Sequence, residues 1–547
     1  MAEEIWTVAE IMKHWADTQP DAQTFRFVDK KGVQSVWTPR NIYVTSSRFA
    51  SRLRGYGFSD GDVIANGIPN SPERLVTDLG IILAGCVMVN FQAVEKDGSD
   101  FWNTAKLASC KGVVIPARSE QPTHRLIAPL LPDVTKTSGC AEISVSQVPS
   151  LTKAVLVDRS ESDQESSLLS SLQCSEDGVD ICYNPKKSDI TVLFATSGSS
   201  GFCKLVPRTN EEVLRAGRSF EGAKSIKYFS DRLFGWMGGF PFDFLAFCSP
   251  RILQDQFNGN HSTDPLELWH TIAREKSDGA SILPQTAGAL IEEFRDVAPD
   301  FRLTFMVTGG QPLRQYIAQA VGRLAKVMVV TYASTEAGMV SSGLVTDPFS
   351  HQDFYSGKPA KGVQIRVVDE EENDVPAGVQ GDVLIKSYLL FKGYYIQGEI
   401  KPSGLFTTDG WYRTGDRGLL DAQGNFCCYG RSGDVVSVGT ALVYTSWPES
   451  VLCKSPDVVD AVVTALPDAD ERGQLCACVI TRAGSDVDEA RLIDFYRNSF
   501  MSADDNSKGF YPKLHKIFFF DEFPQTSSGK LYKKKLISLI EERVRGQ

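Results

Sequence analysis

Residues 190–204 read Ile-Thr-Val-Leu-Phe-Ala-Thr-Ser-Gly-Ser-Ser-Gly-Phe-Cys-Lys, and this segment constrains the chain more than any other. The β-branched apolar run from Ile190 to Ala195 predicts a buried strand. It ends in a loop of small hydroxyl and glycine residues closed by a lysine, a composition suited to holding phosphate. Gly198 and Gly201 allow close backbone approach, so that amide N–H groups can point at phosphate oxygens. Thr196, Ser197, Ser199 and Ser200 add hydroxyl donors, and Lys204 adds a compact positive charge. The spacing is not that of a Walker A loop, since no Ser or Thr follows Lys204. Taken alone, such a loop is also an ordinary surface turn.

The surrounding pattern limits the architectures that can carry this strand and loop. Helical periodicity alternates with short β-rich runs from about residue 40 to 340, which predicts α/β layers with largely parallel sheets. The Val-Ile-Ala run before Asn66, Gly80 to Asn90 and Lys111 to Pro116 are helix–strand steps of this kind. From about 362 the chain becomes β-rich, in Val363 to Asp369 and Gly381 to Ile385, and a small β-barrel-like subdomain is expected there. Gly430 to Asp434 reads as a joint, followed by an α+β pattern of its own. The closing helix, from about Leu531 to Arg543, would put Leu536, Ile540 and Val544 on one face. The expected division is therefore 1–430 and 431–547. A chain of 547 residues is too long for one core, and 42% apolar residues suffice for several.

Composition excludes some functions. A net charge of −11 with no long basic run argues against nucleic acid as the main partner. The 12 cysteines show no Cys-x-x-Cys spacing and the 6 histidines form no ligand cluster, which makes zinc improbable. Scattered cysteines of this kind predict reduced core residues. Leu79 to Val89 is about half the length of a membrane helix and reads as a core helix running into a strand. The acidic residues following Met1 do not resemble a signal peptide, and Arg543 to Gln547 is not a Ser-Lys-Leu-type address, so a cytoplasmic location is expected.

Further motifs follow the phosphate-type loop in a fixed order: Thr308-Gly-Gly-Gln-Pro-Leu313, Tyr332-Ala-Ser-Thr-Glu336, Gly410-Trp-Tyr-Arg-Thr-Gly-Asp416, Gly430-Arg431 and Pro524-Gln-Thr-Ser-Ser-Gly-Lys530. Together they resemble the adenylate-forming superfamily of acyl- and aryl-CoA synthetases, peptide-synthetase adenylation domains and beetle-type luciferases, and the resemblance covers nearly the whole chain. It implies a large N-terminal α/β domain and a small C-terminal α+β domain that rotates between two half-reactions. It implies that Thr196 to Lys204 grips the β- and γ-phosphates of ATP, that Glu336 binds Mg²⁺ and that Thr335 hydrogen-bonds the α-phosphate. Gly309, Gly310 and Gln311 would line adenine and the acyl pocket, and Tyr332 would stack on adenine. Asp416 would accept both ribose hydroxyls, with Arg431 adding ribose or phosphate contacts, and Lys530 would be the adenylating lysine. Carboxylate activation needs this set, because two anions must be held together while charge spreads over the α-phosphate and leaving group.

The chain departs from the family pattern in places. Cys203 stands where proline is usual, and Ala333 where glycine is usual. Aligned without gaps, the joint shows Gly433, Ser437, Thr440, Leu442 and Trp447 where an acid, a lysine, a glycine, an arginine and a glutamate are typical. The thioester-forming surface thus looks rebuilt, leaving room for a luciferase-like oxidation of the acyl-adenylate. Trp236, Phe240, Asp243, Thr331 and Gly338 are expected at the acyl pocket, with an aromatic lining suited to an aryl or medium-chain acid. The gating histidine of many CoA synthetases is absent, and Asp243 could pair with an amino group as in amino-acid adenylation domains. The expected function is Mg·ATP-dependent adenylation of a carboxylic acid followed by transfer to CoA. Luciferase-type oxidation, an amino-acid-type adenylation enzyme and a lapsed nucleotide-binding protein are the alternatives.

Overall fold

The computed structural model describes the chain apart from residues 1–3, 33, 91–98, 118–121, 131–138, 160–167, 174–182, 197–202, 220–223, 258–263, 283, 295–297, 310–317, 320, 353, 432–434, 439–440, 467–473, 500–512, 526–530 and 546–547. Two large sheets make up the N-terminal region. The first runs in the order Gly139–Glu142, Lys153–Val157, Gly112–Pro116, Val63–Asn66, Val87–Asn90, Ile190–Thr196 and Lys204–Thr209. Its five middle strands are parallel, and both edges are closed by an antiparallel partner. Val63–Asn66, Val87–Asn90 and Gly112–Pro116 are buried at every residue. Strands covered by helices on both faces read as continuous apolar runs, and these do. Helix Pro72–Leu83 is also buried along its whole length, which explains the apolar run around Leu79.

The second sheet has nine strands. Phe25–Val28, Arg251–Gln254, Tyr228–Ser230, Gly279–Ser281, Leu303–Gly309 and Ala325–Ser334 run parallel, with Gln34–Trp37 at one edge and Gly338–Val345 and Lys358–Pro359 at the other antiparallel. The β-rich segment after 362 is a four-stranded antiparallel sheet of Val363–Val368, Gly381–Ser387, Tyr412–Leu420 and Phe426–Arg431. A hairpin, Tyr394–Ile396 with Glu399–Lys401, leaves this sheet. The smaller C-terminal domain holds a hairpin, a three-stranded sheet and the helices Ser446–Leu452, Glu489–Asn498 and Lys533–Arg545.

The closing helix begins at Lys533 because Leu531 is held in a β-bridge with Gln525. Leu536 and Ile540 are core residues as expected, whereas Val544, in the last turn, is exposed. Of the predicted joint, Gly430 to Asp434, the first two residues end the strand Phe426–Arg431 and residues 432–434 lie outside the described residues. Among those described, ten cysteines are free thiols, seven of them buried, and no helix is long and apolar enough to cross a membrane.

Candidate active site

Three strand ends and one antiparallel sheet converge on the residues singled out by sequence. In open α/β sheets, ligands bind beyond the carboxyl ends of the strands. Ile190–Thr196, Leu303–Gly309 and Ala325–Ser334 deliver the phosphate-type loop, the glycine turn and the Tyr332–Glu336 segment from such ends. Thr196 and Lys204 face each other across the antiparallel pair that closes the loop. Ser197, Gly198, Ser199, Ser200, Gly201, Gly310, Gln311 and Lys530 lie outside the described residues. The strand carrying Lys204 ends in a capping box, with Glu212 N–H donating to Thr209 Oγ1 at 3.3 Å and Thr209 N–H to Glu212 Oε2 at 3.0 Å. Such a cap contributes about 0.5–2 kcal/mol and fixes where strand turns into helix. Cys203, in the place of the usual proline, sits with its Sγ 3.0 Å from Thr104 Oγ1 of helix Ser99–Ala108, which ties the loop to a rigid element.

Glu336 is buried, 8% exposed, immediately after a strand whose register shifts between Tyr332 and Ala333. Bulges of this kind re-aim side chains beside active sites. Tyr394 Oη donates to Glu336 Oε1 at 3.1 Å, and Lys204 Nζ stands 4.9 Å above the Tyr394 ring. The Glu336 carbonyl accepts from Phe391 N–H at 2.9 Å. Arg208, four residues beyond Lys204, donates to the carbonyls of Thr335 at 2.6 Å, Glu336 at 3.1 Å and Leu389 at 2.5 Å. Burial lowers its pKa from 12.5 to about 10, which leaves it cationic at neutral pH. Burial also raises the Tyr394 and Tyr412 phenols, so both remain protonated donors.

The hard-oxygen character of this cluster fits a divalent cation such as Mg²⁺. That ion typically takes one or two protein carboxylates and completes its shell with phosphate oxygens and water. Glu336 would supply the carboxylate, and Thr335 is half-buried next to it. Arg208, Tyr394 and Tyr412 escaped sequence reasoning. Arg208 and Tyr394 lie outside the quoted motifs, and Tyr412 lies within Gly410 to Asp416, where the resemblance gave a role to Asp416 alone.

Asp416 and Arg431, the residues expected at the ribose, are direct cross-strand partners. Arg431 Nε lies 3.1 Å from Asp416 Oδ1, and Tyr332 Oη donates to Asp416 Oδ2. The Tyr332 ring rests against Phe426, centroids 5.3 Å apart. One Asp416 oxygen accepts from Tyr332 and the other is paired with Arg431, the acceptor capacity that a pair of ribose hydroxyls would use. Burial and the Asp416 charge push the Tyr332 phenol well above its ordinary value. Gly309 lies in register with Thr331, and a Cβ there would meet Thr331 Oγ1 at 2.3 Å. That oxygen donates to the Thr308 carbonyl at 3.2 Å. Gly338 takes φ +73° and approaches Leu389, so only glycine fits without strain.

The residues expected at the acyl pocket divide. Trp236 and Thr331 are half-buried and available to a wall. Phe240 is 1% exposed and packed against Phe194 and Phe242, which makes it a core ring rather than an open wall. Asp243 sits differently from its expectation. It is 4% exposed and bound by the Arg251 guanidinium, which also donates to Gly239 O at 2.5 Å. One oxygen of the buried Asp243 carboxylate is held by Arg251, which argues for a core role rather than recognition of a substrate amine.

Comparison with known proteins matches residues 12–395 to the AMP-binding enzyme family and residues 448–530 to the AMP-binding enzyme C-terminal domain. The chain is 24% identical over 520 residues to a 2,3-dihydroxybenzoate-AMP ligase of Bacillus subtilis, covering 93% of this chain and 90% of that protein. It is 23% identical over 541 residues to a medium-chain fatty-acid–CoA ligase of Escherichia coli, covering 97% and 90%. The anthranilate CoA ligase AuaEII, solved with anthranoyl-AMP, superposes with a TM-score of 0.79 at 20% identity, covering 98% of both chains.

Proposed function

The chain belongs to the AMP-binding enzyme family, within the adenylate-forming superfamily, and from that premise we propose that it activates an aryl or medium- to long-chain carboxylic acid with ATP and passes the acyl group to CoA. The observation that carries this reading is the joining of Lys204, Glu336 and Tyr394 in one contact chain at the carboxyl ends of two parallel sheets. In the first half-reaction the acid's carboxylate oxygen attacks the α-phosphorus. The bond to the β-phosphate breaks and pyrophosphate leaves. Thr196, Lys204 and the loop between them hold the leaving phosphates, while Asp416 and Arg431 hold the ribose. Lys530 places its charge between the carboxylate and the α-phosphate as negative charge spreads there. Mg²⁺ held by Glu336 would offset phosphate charge.

In the second half-reaction the CoA thiolate sulfur attacks the acyl carbon, the C–O bond to phosphate breaks and AMP leaves. The same reading takes 1–430 as the adenylating unit and 431–547 as the part that turns between the two steps, in the cytosol. Support for an acid substrate comes from relatives named for aryl and fatty acids. Asp243 gives no support to an amino-acid substrate, because Arg251 occupies it.

ATP–pyrophosphate exchange with a panel of aryl, fatty and amino acids tests the first step, and adding CoA while following acyl-CoA and light tests the second. Lys530→Ala should lower exchange about 10²–10³-fold with the fold intact. Exchange without acyl-CoA, or with light, would move the second step to another acceptor. Absence of exchange with every acid would overturn the adenylation reading for those substrates.

A further inference from the structure

Glu336 is fixed from two directions by residues that no step above uses. At its main chain, the Arg208 guanidinium binds the carbonyls of Thr335 and Glu336, and through Leu389 O it adds a third carbonyl from a separate loop. Arg208 is 1% exposed. Its hydrogen bonds among the described residues all run to main-chain oxygens rather than to a carboxylate side chain. Burying a charge this way is expensive, and these carbonyls serve the two terminal nitrogens while Nε has no hydrogen-bond partner among the described residues. Three carbonyls converging on one planar cation cannot be served by a point-charge ammonium in the same way.

At its side chain, Tyr394 Oη reaches Glu336 Oε1. Tyr394 begins a hairpin that is itself anchored: Gln397 N–H donates to Leu107 O at 2.7 Å, and Gly393 packs so closely on Lys401 that a Cβ would meet its carbonyl at 2.2 Å. The Tyr394 ring packs against Phe391, centroids 4.8 Å apart, and supports Lys204 from below. One phenol therefore touches the carboxylate and, through its π-face, the phosphate-loop lysine.

We propose that Arg208 and Tyr394 are positioning residues that clamp Glu336 at its backbone and its carboxylate, and that this clamp sets the site's affinity for a nucleotide-bound divalent cation. The inference rests on Glu336 being the metal ligand of the proposed function. Small divalent cations demand near-ideal ligand geometry, and outer partners that orient a ligating carboxylate typically govern metal affinity by 10–100-fold.

The test uses the full chain with Mn²⁺ and ATP, no acid present, and reads bound Mn²⁺ by electron paramagnetic resonance. ATP binding in chelator is measured alongside. Tyr394→Phe keeps the ring beneath Lys204 and removes only the hydroxyl. It should weaken Mn·ATP binding about 10-fold and leave metal-free ATP binding unchanged. Arg208→Lys should act in the same direction. Combined with Glu336→Gln, Tyr394→Phe should add nothing further, because the two act through one ligand. Wild-type Mn·ATP affinity in Tyr394→Phe, or equal loss with and without metal, overturns the clamp. Unchanged Mn·ATP affinity in Glu336→Gln overturns the metal assignment beneath it, and these two failures are distinguishable.

Discussion

Replacing Asp243 with asparagine separates a core role from a substrate role in one variant. Asp243 and Arg251 have side chains 5% and 3% exposed, so neither charge is solvated. Arg251 also stacks 5.3 Å from the centroid of Tyr228 and hydrogen-bonds the Gly239 carbonyl. Asp243→Asn keeps the shape and deletes the negative charge, stranding a buried guanidinium. Removing one partner of a buried pair costs about 3–5 kcal/mol. The retained carbonyl contact and the amide's own acceptor favour the lower end, about 3 kcal/mol. Net stabilities are commonly about 5–15 kcal/mol, so the variant still folds but with a reduced margin. At about 2 °C per kcal/mol for a large unit, the first unfolding transition should fall by about 6 °C. Calorimetry or differential scanning fluorimetry gives that number, and ATP–pyrophosphate exchange at 20 °C gives the ranking of acids. The ranking should be unchanged. A shifted preference between amino and non-amino acids, with a transition within 1 °C of wild type, would refute the argument and return Asp243 to the substrate pocket.

Three other outcomes follow from the same geometry. Arg159 reaches Glu73 Oε1 at 2.6 Å on one sheet's helix and Asp255 Oδ2 at 2.6 Å beside the other sheet. Arg159→Ala leaves two buried carboxylates together and should cost about 3 kcal/mol at pH 8, with the cost shrinking as pH falls in thermal scans. Burial raises the Asp255 carboxyl, an effect that Arg159 only partly offsets. The folded state therefore holds more protons than the unfolded state between the ordinary aspartate value of 3.8 and the raised one, and stability falls as pH rises through that window. Asp255→Asn should flatten this slope in denaturant titrations run upward in pH from the ordinary carboxylate range. Gly309→Ala would drive a Cβ to 2.3 Å from Thr331 Oγ1. It should raise the KM for ATP several-fold in exchange assays while the far-UV spectrum stays unchanged.

The strands and pairings around the proposed nucleotide end were legible because their geometry is set locally. Short buried strands such as Val87–Asn90 and Ile190–Thr196 announce themselves as apolar runs, and each parallel strand's carboxyl end is where a ligand loop must emerge. Asp416 and Arg431 are paired by strand register, so two motif residues 15 positions apart meet without long-range information. Arg208 and Tyr394 were not legible. An arginine within the apolar run Leu205-Val-Pro-Arg reads as a strand edge, and only tertiary structure brings the carbonyls of Thr335, Glu336 and Leu389 around it. The expected start of the last helix also missed by two residues, because the bridge from Leu531 to Gln525 is a contact that periodicity does not encode.

The acid end was hardest to read, and the reason is physical. An aromatic run such as Phe240-Pro-Phe-Asp-Phe satisfies two demands at once, a pocket wall and a domain core, and both reward the same residues. Phe240, Phe242 and Phe244 are all buried in the cluster that also holds Phe194 from the phosphate-loop strand. Composition cannot separate the two uses, but charge can. A substrate-facing aspartate needs an unoccupied carboxylate, whereas a core aspartate needs a buried cation. Arg251, eight residues on, reads from sequence as an unremarkable strand residue, yet it is that cation. The half-buried Trp236 and Thr331, not the run's phenylalanines, are therefore the side chains whose substitution should move acid preference. The proposed adenylating machinery meanwhile includes a carboxylate, Glu336, whose contacts with Arg208 and Tyr394 come from outside the motif that contains it.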